Sequence, residues 1–309
     1  MSAVITRRSA LAVLATFGLA ACGGGKGAGD STKAAGGSTA AAPNAATNAA
    51  GGKKTFTIAM IAKSSTNPVF LSGRQGAEAA AKELTDSTGV QVKIDWLTPP
   101  NEDAAVQAQR IAQAVNAGDD AILFSASEAG KVVGAIDEAV ARGVPVMTFD
   151  SDVPTSKRFS FYGGDDQAIG RQVMTELATQ MGGKGKVAIL GGNQNAPNLR
   201  KRVDGVRQQA AKYPQMKIVD TFYHIETPQD AAAEVLRAQG AYPQIQGWAM
   251  IGGWPLFTKA LLTDLDPNKV KIVSVDALAS ELPYVEKGLA PVLFAQPTYN
   301  WGYVSVKTI

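Results

Sequence analysis

Side chains able to hold a polar molecule recur at one kind of place in this sequence, immediately after short apolar runs. Lys63 follows Thr55 to Ala62, Ser125 closes the run from Ala121, and Asp150-Ser151-Asp152 follows Val144 to Phe149. Further along, Gly191-Gly192-Asn193 follows Lys186 to Leu190, Trp254 lies just past Ile251, Asp276 closes the run from Val270, and Gln296 follows Val292 to Ala295. An ionised carboxylate at such a point accepts hydrogen bonds from two neighbouring hydroxyls, and an aromatic face covers the apolar side of a small ring. This is chemistry for binding.

Bond-making chemistry has much less support. His224 is the only histidine, which excludes a two-histidine metal motif, and it reads as a surface or capping residue. No G-x-S-x-G nucleophile elbow occurs in the folded part. Gly182-Gly183-Lys184-Gly185-Lys186 precedes an apolar run and lacks the Lys-Ser/Thr ending of a phosphate loop, so it reads as a turn. Gly191-Gly192 lacks the spacing of a dinucleotide fingerprint. Asp150 and Asp152, one residue apart, are a weak basis for a metal site. No catalytic residue, cofactor or metal is expected, and the chain reads as a binding protein and not an enzyme.

The elements that must position these side chains alternate regularly. Strands are expected at Thr55 to Ala62, Val90 to Leu97, Ala121 to Ser125 and Val144 to Asp150, with helices after Asn67-Pro68, from Asp103 and over Ala129 to Arg142. A turn-rich stretch and a short strand near Phe159 to Tyr162 interrupt the rhythm, which then resumes from Gln167 to Ala295. In that second run helices are expected over Leu256 to Leu265 and Ser280 to Gly288. Strands alternating with helices imply parallel sheets covered on both faces. Around ten strands in two runs predict two doubly wound α/β lobes, and ligands of such sheets bind beyond the carboxyl ends of the strands.

The first residues are of another kind. A short segment with Arg7-Arg8 precedes an apolar run from Ala10 to Ala21, too short to span a membrane and suited to a secretory signal. Leu19-Ala20-Ala21-Cys22 resembles the bacterial lipobox, in which the cysteine becomes the lipid-carrying N-terminus. Residues 1–22 are therefore expected to be a lipoprotein signal, with Cys22, the only cysteine, as the lipidation site. Residues 23–54 hold mainly Gly, Ala, Ser, Thr and Asn without a bulky apolar side chain, the composition of a flexible linker. The net charge of +3 originates there. Arg7, Arg8, Lys26, Lys33, Lys53 and Lys54 against Asp30 leave the remainder at −2, so nucleic acid is not an expected partner.

Three longer segments carry a family resemblance. Thr57-Ile-Ala-Met-Ile-Ala-Lys63 with Asn67-Pro-Val-Phe70, Gly143-Val-Pro-Val-Met-Thr-Phe-Asp-Ser-Asp152, and Ile272-Val-Ser-Val-Asp276 resemble the type I periplasmic sugar-binding proteins of the ribose-, galactose- and autoinducer-2-binding group. Tyr162-Gly-Gly-Asp-Asp166 and Arg200-Lys-Arg-Val-Asp-Gly205 continue the likeness, which covers residues 55–309. It implies an N-terminal lobe of residues 55–163 with 297–309, a C-terminal lobe of residues 164–296, and three connecting strands at a hinge that closes on ligand. It implies that Asn67 and Phe70 line the first lobe, that Asp150 holds sugar hydroxyls, and that Arg200, Asp276 and Gln296 act from the second lobe and hinge. Lys63, Asp152 and Trp254 complete the expected set, Trp254 as a stacking face.

The implied function is a monomeric, extracytoplasmic solute-binding lipoprotein, anchored to the membrane through Cys22. It would hand a monosaccharide or similar polyhydroxy compound to an ABC permease and ATPase. A ligand sensor partnering a membrane kinase or chemoreceptor is the alternative. Relatives add further elements after the position of Gln296, so a missing C-terminal portion is also expected.

Overall fold

The structure, a computed structural model, describes residues 3–6 and 54–309. Cys22, Arg7-Arg8 and nearly all of the expected signal and linker lie outside the described residues. The exception is a four-residue strand, β1 (Ala3–Thr6).

From residue 55 the chain alternates β2 (Thr55–Ile61), α1 (Pro68–Thr88), β3 (Gln91–Trp96), α2 (Ala104–Ala117), β4 (Ala121–Phe124), α3 (Ala129–Ala141), β5 (Val146–Phe149) and β6 (Ser160–Tyr162). These strands form one parallel sheet in the order β3-β2-β4-β5-β6. Local chemistry sets the helix ends. Asn67 accepts from the Val69 N–H with Pro68 at the first helical position, Asp103 accepts from the N–H groups of Ala105 and Val106, and Gly89 and Gly118 end α1 and α2 in the left-handed conformation.

The second run comprises α4 (Asp166–Gln180), β7 (Gly185–Leu190), α5 (Pro197–Ala210), β8 (Met216–Phe222), α6 (Pro228–Ala241), β9 (Gly247–Met250), α7 (Ala260–Asp264), β10 (Lys271–Val275), α8 (Leu282–Lys287) and β11 (Val292–Ala295). Its sheet reads β8-β7-β9-β10-β11, the same order as the first, with β1 added antiparallel to β11 at the edge. Both sheets are buried on both faces. Ile58 and Met60 of β2 pack on the side of α1, whereas Ala59 and Ile61 pack on the side of α2 and α3. Likewise Val187 and Ile189 of β7 face α4 and α5, and Ala188 and Leu190 face α6.

Three elements differ from expectation. The helix predicted over Leu256 to Leu265 is divided into a 3-10 turn, Trp254–Phe257, and the short α7, because Thr258 is extended. The helix predicted from Ser280 begins as a 3-10 turn, Ala279–Glu281. An unpredicted final helix, α9 (Thr298–Thr308), lies on α1. That contact is very close: a Cβ on Gly76 would meet the Tyr299 carbonyl oxygen at 1.9 Å, and one on Gly302 the Gly73 carbonyl oxygen at 1.9 Å. An equivalent crossing joins α4 and α5, where a Cβ on Gly170 would lie 2.0 Å from the Arg202 carbonyl oxygen.

The last strand of each sheet thus feeds a helix that packs against the other run's elements. The chain leaves the first sheet after β6 and returns after β11, which are two of the three crossings that the resemblance implies.

Candidate functional site

Asp150 and Asp276 follow the fourth strand of their respective sheets, β5 and β10. They are the only non-glycine residues with positive φ among the described residues, at 54° and 78°. Side chains disfavour this region by about 1–2 kcal/mol, Asp and Asn least, so two such turns at equivalent strand ends mark places where geometry is held against local preference.

Each aspartate is buried and held by donors. Ser125, after β4, donates its hydroxyl to Asp150 Oδ2 at 2.9 Å, and Asn198 at the start of α5 donates its amide to Oδ1 at 3.1 Å. Asp276 Oδ1 receives the Gln296 amide at 2.6 Å, and Oδ2 receives the Gly253 N–H at 3.0 Å. Burial pushes the Asp276 carboxyl up, against the hydrogen bond from Gln296 and the charge of Arg202.

Arg202 is the central cation. Its Nε donates to Asp166 Oδ1 at 2.8 Å, and its terminal nitrogens donate to the Ile251 carbonyl at 3.1 Å and Gln296 Oε1 at 2.7 Å. Burial alone would lower its pKa, but the carboxylates of Asp166, Asp150 and Asp276 outweigh that and raise it. Asp166, at the first crossing, is pushed up by burial, with Arg202 opposing. Arg202 therefore ties together residues beside both crossings.

Lys63, after β2, is 2% exposed and reaches Asn198 Oδ1 at 3.3 Å, with Glu102 Oε1 at 3.8 Å. Burial would lower its pKa, and Glu226, Glu102 and Asp150 raise it on balance. Asn198 thus contacts both Lys63 and Asp150, so α5 is joined to two strand ends of the opposite sheet. The hydroxyls of Ser127, two residues after Ser125, and of Ser151, next to Asp150 in sequence, are buried without a hydrogen-bond partner.

The expected residues are only partly brought together. Lys63, Asp150, Asp276 and Gln296 belong to this polar seam. Arg200 does not: it is exposed, and Arg202 takes the buried position. On a helix, residues 198 and 202 share a face whereas 200 points away, so the phase of α5 carried the needed signal. Asp152 is engaged within its own lobe by a forked contact from Arg158 at 2.5 and 2.7 Å and by the Thr148 hydroxyl. Burial would raise its pKa, yet Arg158 and Thr148 hold it low.

The two aromatics are also placed differently. Phe70 packs in the first lobe's core against Phe149 and Trp301, with ring centroids 6.5 and 6.2 Å away. Trp254 is 5% exposed in the core beside β9, its ring edge-on to His224 at 5.0 Å. Asn67 is a buried helix cap. His224 lies half-buried at the surface, edge-on to Trp254, and burial lowers its pKa. Sequence reasoning also missed Asn198, Asp166, Glu102 and Glu226, which lie on loops and helix starts away from the strand ends.

Among the described residues no cluster of three or more His, Cys, Asp or Glu is arranged to hold a metal ion, and no helix is long and apolar enough to cross a membrane.

Residues 58–309 match the model of the periplasmic binding protein domain. A xylitol-binding protein of Mycolicibacterium smegmatis is 27% identical over 70% of this chain. The chain covers 60% of that relative, and about half the length of other curated relatives it matches. An ABC transporter solute-binding protein from Burkholderia graminis, solved with D-arabinose, superposes with a TM-score of 0.76 at 25% identity, covering 83% of this chain and 88% of that one. XylFII, solved in a complex with LytSN, superposes with a TM-score of 0.76 at 27% identity over 82% and 92% of the two chains.

Proposed function

The chain belongs to the periplasmic binding protein domain family, and from that premise we propose that it captures a small polyhydroxy compound between its lobes and presents it to an ABC importer. The carrying observation is the pair of buried aspartates in left-handed turns at equivalent strand ends of the two sheets, with Asn198 of the second lobe bonded to Asp150 of the first. Each ligand hydroxyl that enters loses its water, and a carboxylate with directed lone pairs replaces it. The relatives named for xylitol and D-arabinose support a ligand of this size and chemistry.

Asp150, Asp276, Gln296, Lys63 and Arg202 are the residues assigned to the ligand, with Arg202 in place of Arg200. Ser127 and Ser151 contribute hydroxyls that are free to pair. Entry requires that Asn198 release Asp150, so the lobes part to admit ligand and close on it. The test is a calorimetric screen of monosaccharides and polyols, with scattering of the free and bound protein. Micromolar or tighter binding with compaction supports the reading, and no binding by any member removes it.

The lipobox ending at Cys22 and the polar stretch after it support a membrane tether in the extracytoplasmic space. Fractionation of wild type and Cys22→Ala tests this, since equal distribution would eliminate the anchor. A sensing role through a protein partner is the second reading, and the neighbour XylFII is solved in a complex with such a partner, LytSN. Loss of ligand uptake in a deletion strain supports import; unchanged uptake with a lost transcriptional response supports sensing.

A further inference from the structure

Beside the aspartate seam lies a cleft of about 400 Å³ lined by Glu102, Asn193, Tyr223, His224 and Glu226, among others. Glu102 comes from the first lobe, in the loop before α2, and the rest from the second. The Glu102 side chain is only 9% exposed, yet its Oε1 has no hydrogen-bond partner, and the Lys63 ammonium stays 3.8 Å away. Glu226, 8% exposed, faces it, held by the Asn193 N–H at 2.9 Å. The Asn193 amide reaches Glu102 Oε2 at 3.5 Å.

Two facing carboxylates and one lysine leave a surplus negative charge in a buried place. Burial and then the charge of Glu226 push the Glu102 carboxyl well up, which is the signature of a missing counter-ion. His224 does not supply it. Burial lowers its pKa, and with Nδ1 bonded to the Ile225 carbonyl its buried Nε2 is left as a second acceptor without a donor. The Tyr223 ring, 42% exposed, adds an aromatic face to the same cleft. Acceptors without donors, excess negative charge and an aromatic face together describe what an ammonium group requires.

We infer that this cleft is a subsite for a protonated amine, held between Glu102 and Glu226, so that the preferred ligand is an amino sugar or amino polyol. The inference rests on the proposed function and narrows its ligand class. Hydroxyls go to Asp150 and Asp276, and the amine goes to the glutamates at the mouth.

The experiment compares matched pairs at pH 7 on the full chain by calorimetry: D-glucosamine with D-glucose, 1-amino-1-deoxy-D-sorbitol with sorbitol, and the screen's leading neutral compound with its amino counterpart. Wild type should bind the amine of the best pair about tenfold more tightly, the difference one charge-assisted contact makes. Glu226→Gln and Glu102→Gln should each reduce that preference toward parity. Equal or tighter binding of every neutral member overturns the inference and leaves the function intact. A preference that survives both substitutions also overturns it. Absence of binding by every compound, including those of the screen, removes both.

Discussion

The two lobes use one strand order and put an aspartate in the same left-handed turn after the same strand, but they hold it differently. Asp276 is held by Gln296 and the Gly253 N–H, beside Arg202, all from its own lobe and the second crossing. Asp150 relies on Ser125 from its own lobe and on Asn198 from the opposite one. On the proposed closing motion, the second lobe would present a finished carboxylate whether open or closed, whereas the first would complete its carboxylate's surroundings only on closure. Preorganisation on one side lowers the ordering cost of first contact, and the incomplete side makes closure depend on occupancy.

The largest expected effect tests the finished side. Arg202→Met should cost about 3–5 kcal/mol of stability by urea denaturation, because Asp166 and Asp276 would keep their burial and lose their cation. Unchanged stability would show that the arginine does not hold the second lobe's carboxylates. Asp276→Asn keeps the left-handed turn and should weaken binding of the screen's best ligand by roughly ten- to a hundredfold, ~1–3 kcal/mol. Scattering of its free form should match wild type; a more open free form would erase the contrast with Asp150.

Glu281 sharpens the picture through pH. Burial, with Asp276 next to it, raises its carboxyl from 4.5 to about 9. The folded chain then keeps a proton that the unfolded chain loses, so this group's contribution to stability is full below about 4.5 and is lost as pH rises toward about 9. Glu281→Gln should flatten that decline in a series of melting curves, and an unchanged slope would assign it to other groups. The smallest effect belongs to the closure-dependent side. Asn198→Ala should weaken binding only about two- to tenfold, one hydrogen bond of ~0.5–1.5 kcal/mol, while expanding the ligand-free protein in scattering. Unaltered scattering would mean that Asn198 does not join the lobes.

The fold was legible because apolar runs of strand length, cap residues such as Asn67 and Asp103, and left-handed glycines such as Gly118 encode elements locally. The strand-end rule likewise led to Lys63, Asp150 and Asp276. It failed where an interaction depends on tertiary phase. Choosing Arg200 over Arg202 is a matter of two residues on one helix, and only the packing of α5 on α4 reveals which one turns inward. Phe70 has the composition of a stacking residue but is claimed by Phe149 and Trp301, the latter on the unpredicted α9. Glu102 and Glu226 are 124 positions apart and acquire meaning only when the lobes meet.

The seating of α9 on α1 has a consequence for the order in which the molecule is made. Thr298 bonds Ser72 across 226 positions, so the first lobe is sealed by a segment synthesised only after the strands of the second lobe. The second lobe receives its equivalent helix, α4, directly before β7, and its five parallel strands come from one continuous stretch. Distant closures slow folding more than neighbouring ones, and the second lobe should mature first although it is made later. Pulse-labelled hydrogen exchange during refolding should find β7 to β10 protected ahead of β2 and β4. In the interval, α1 leaves uncovered the glycine-lined face that α9 later seats on.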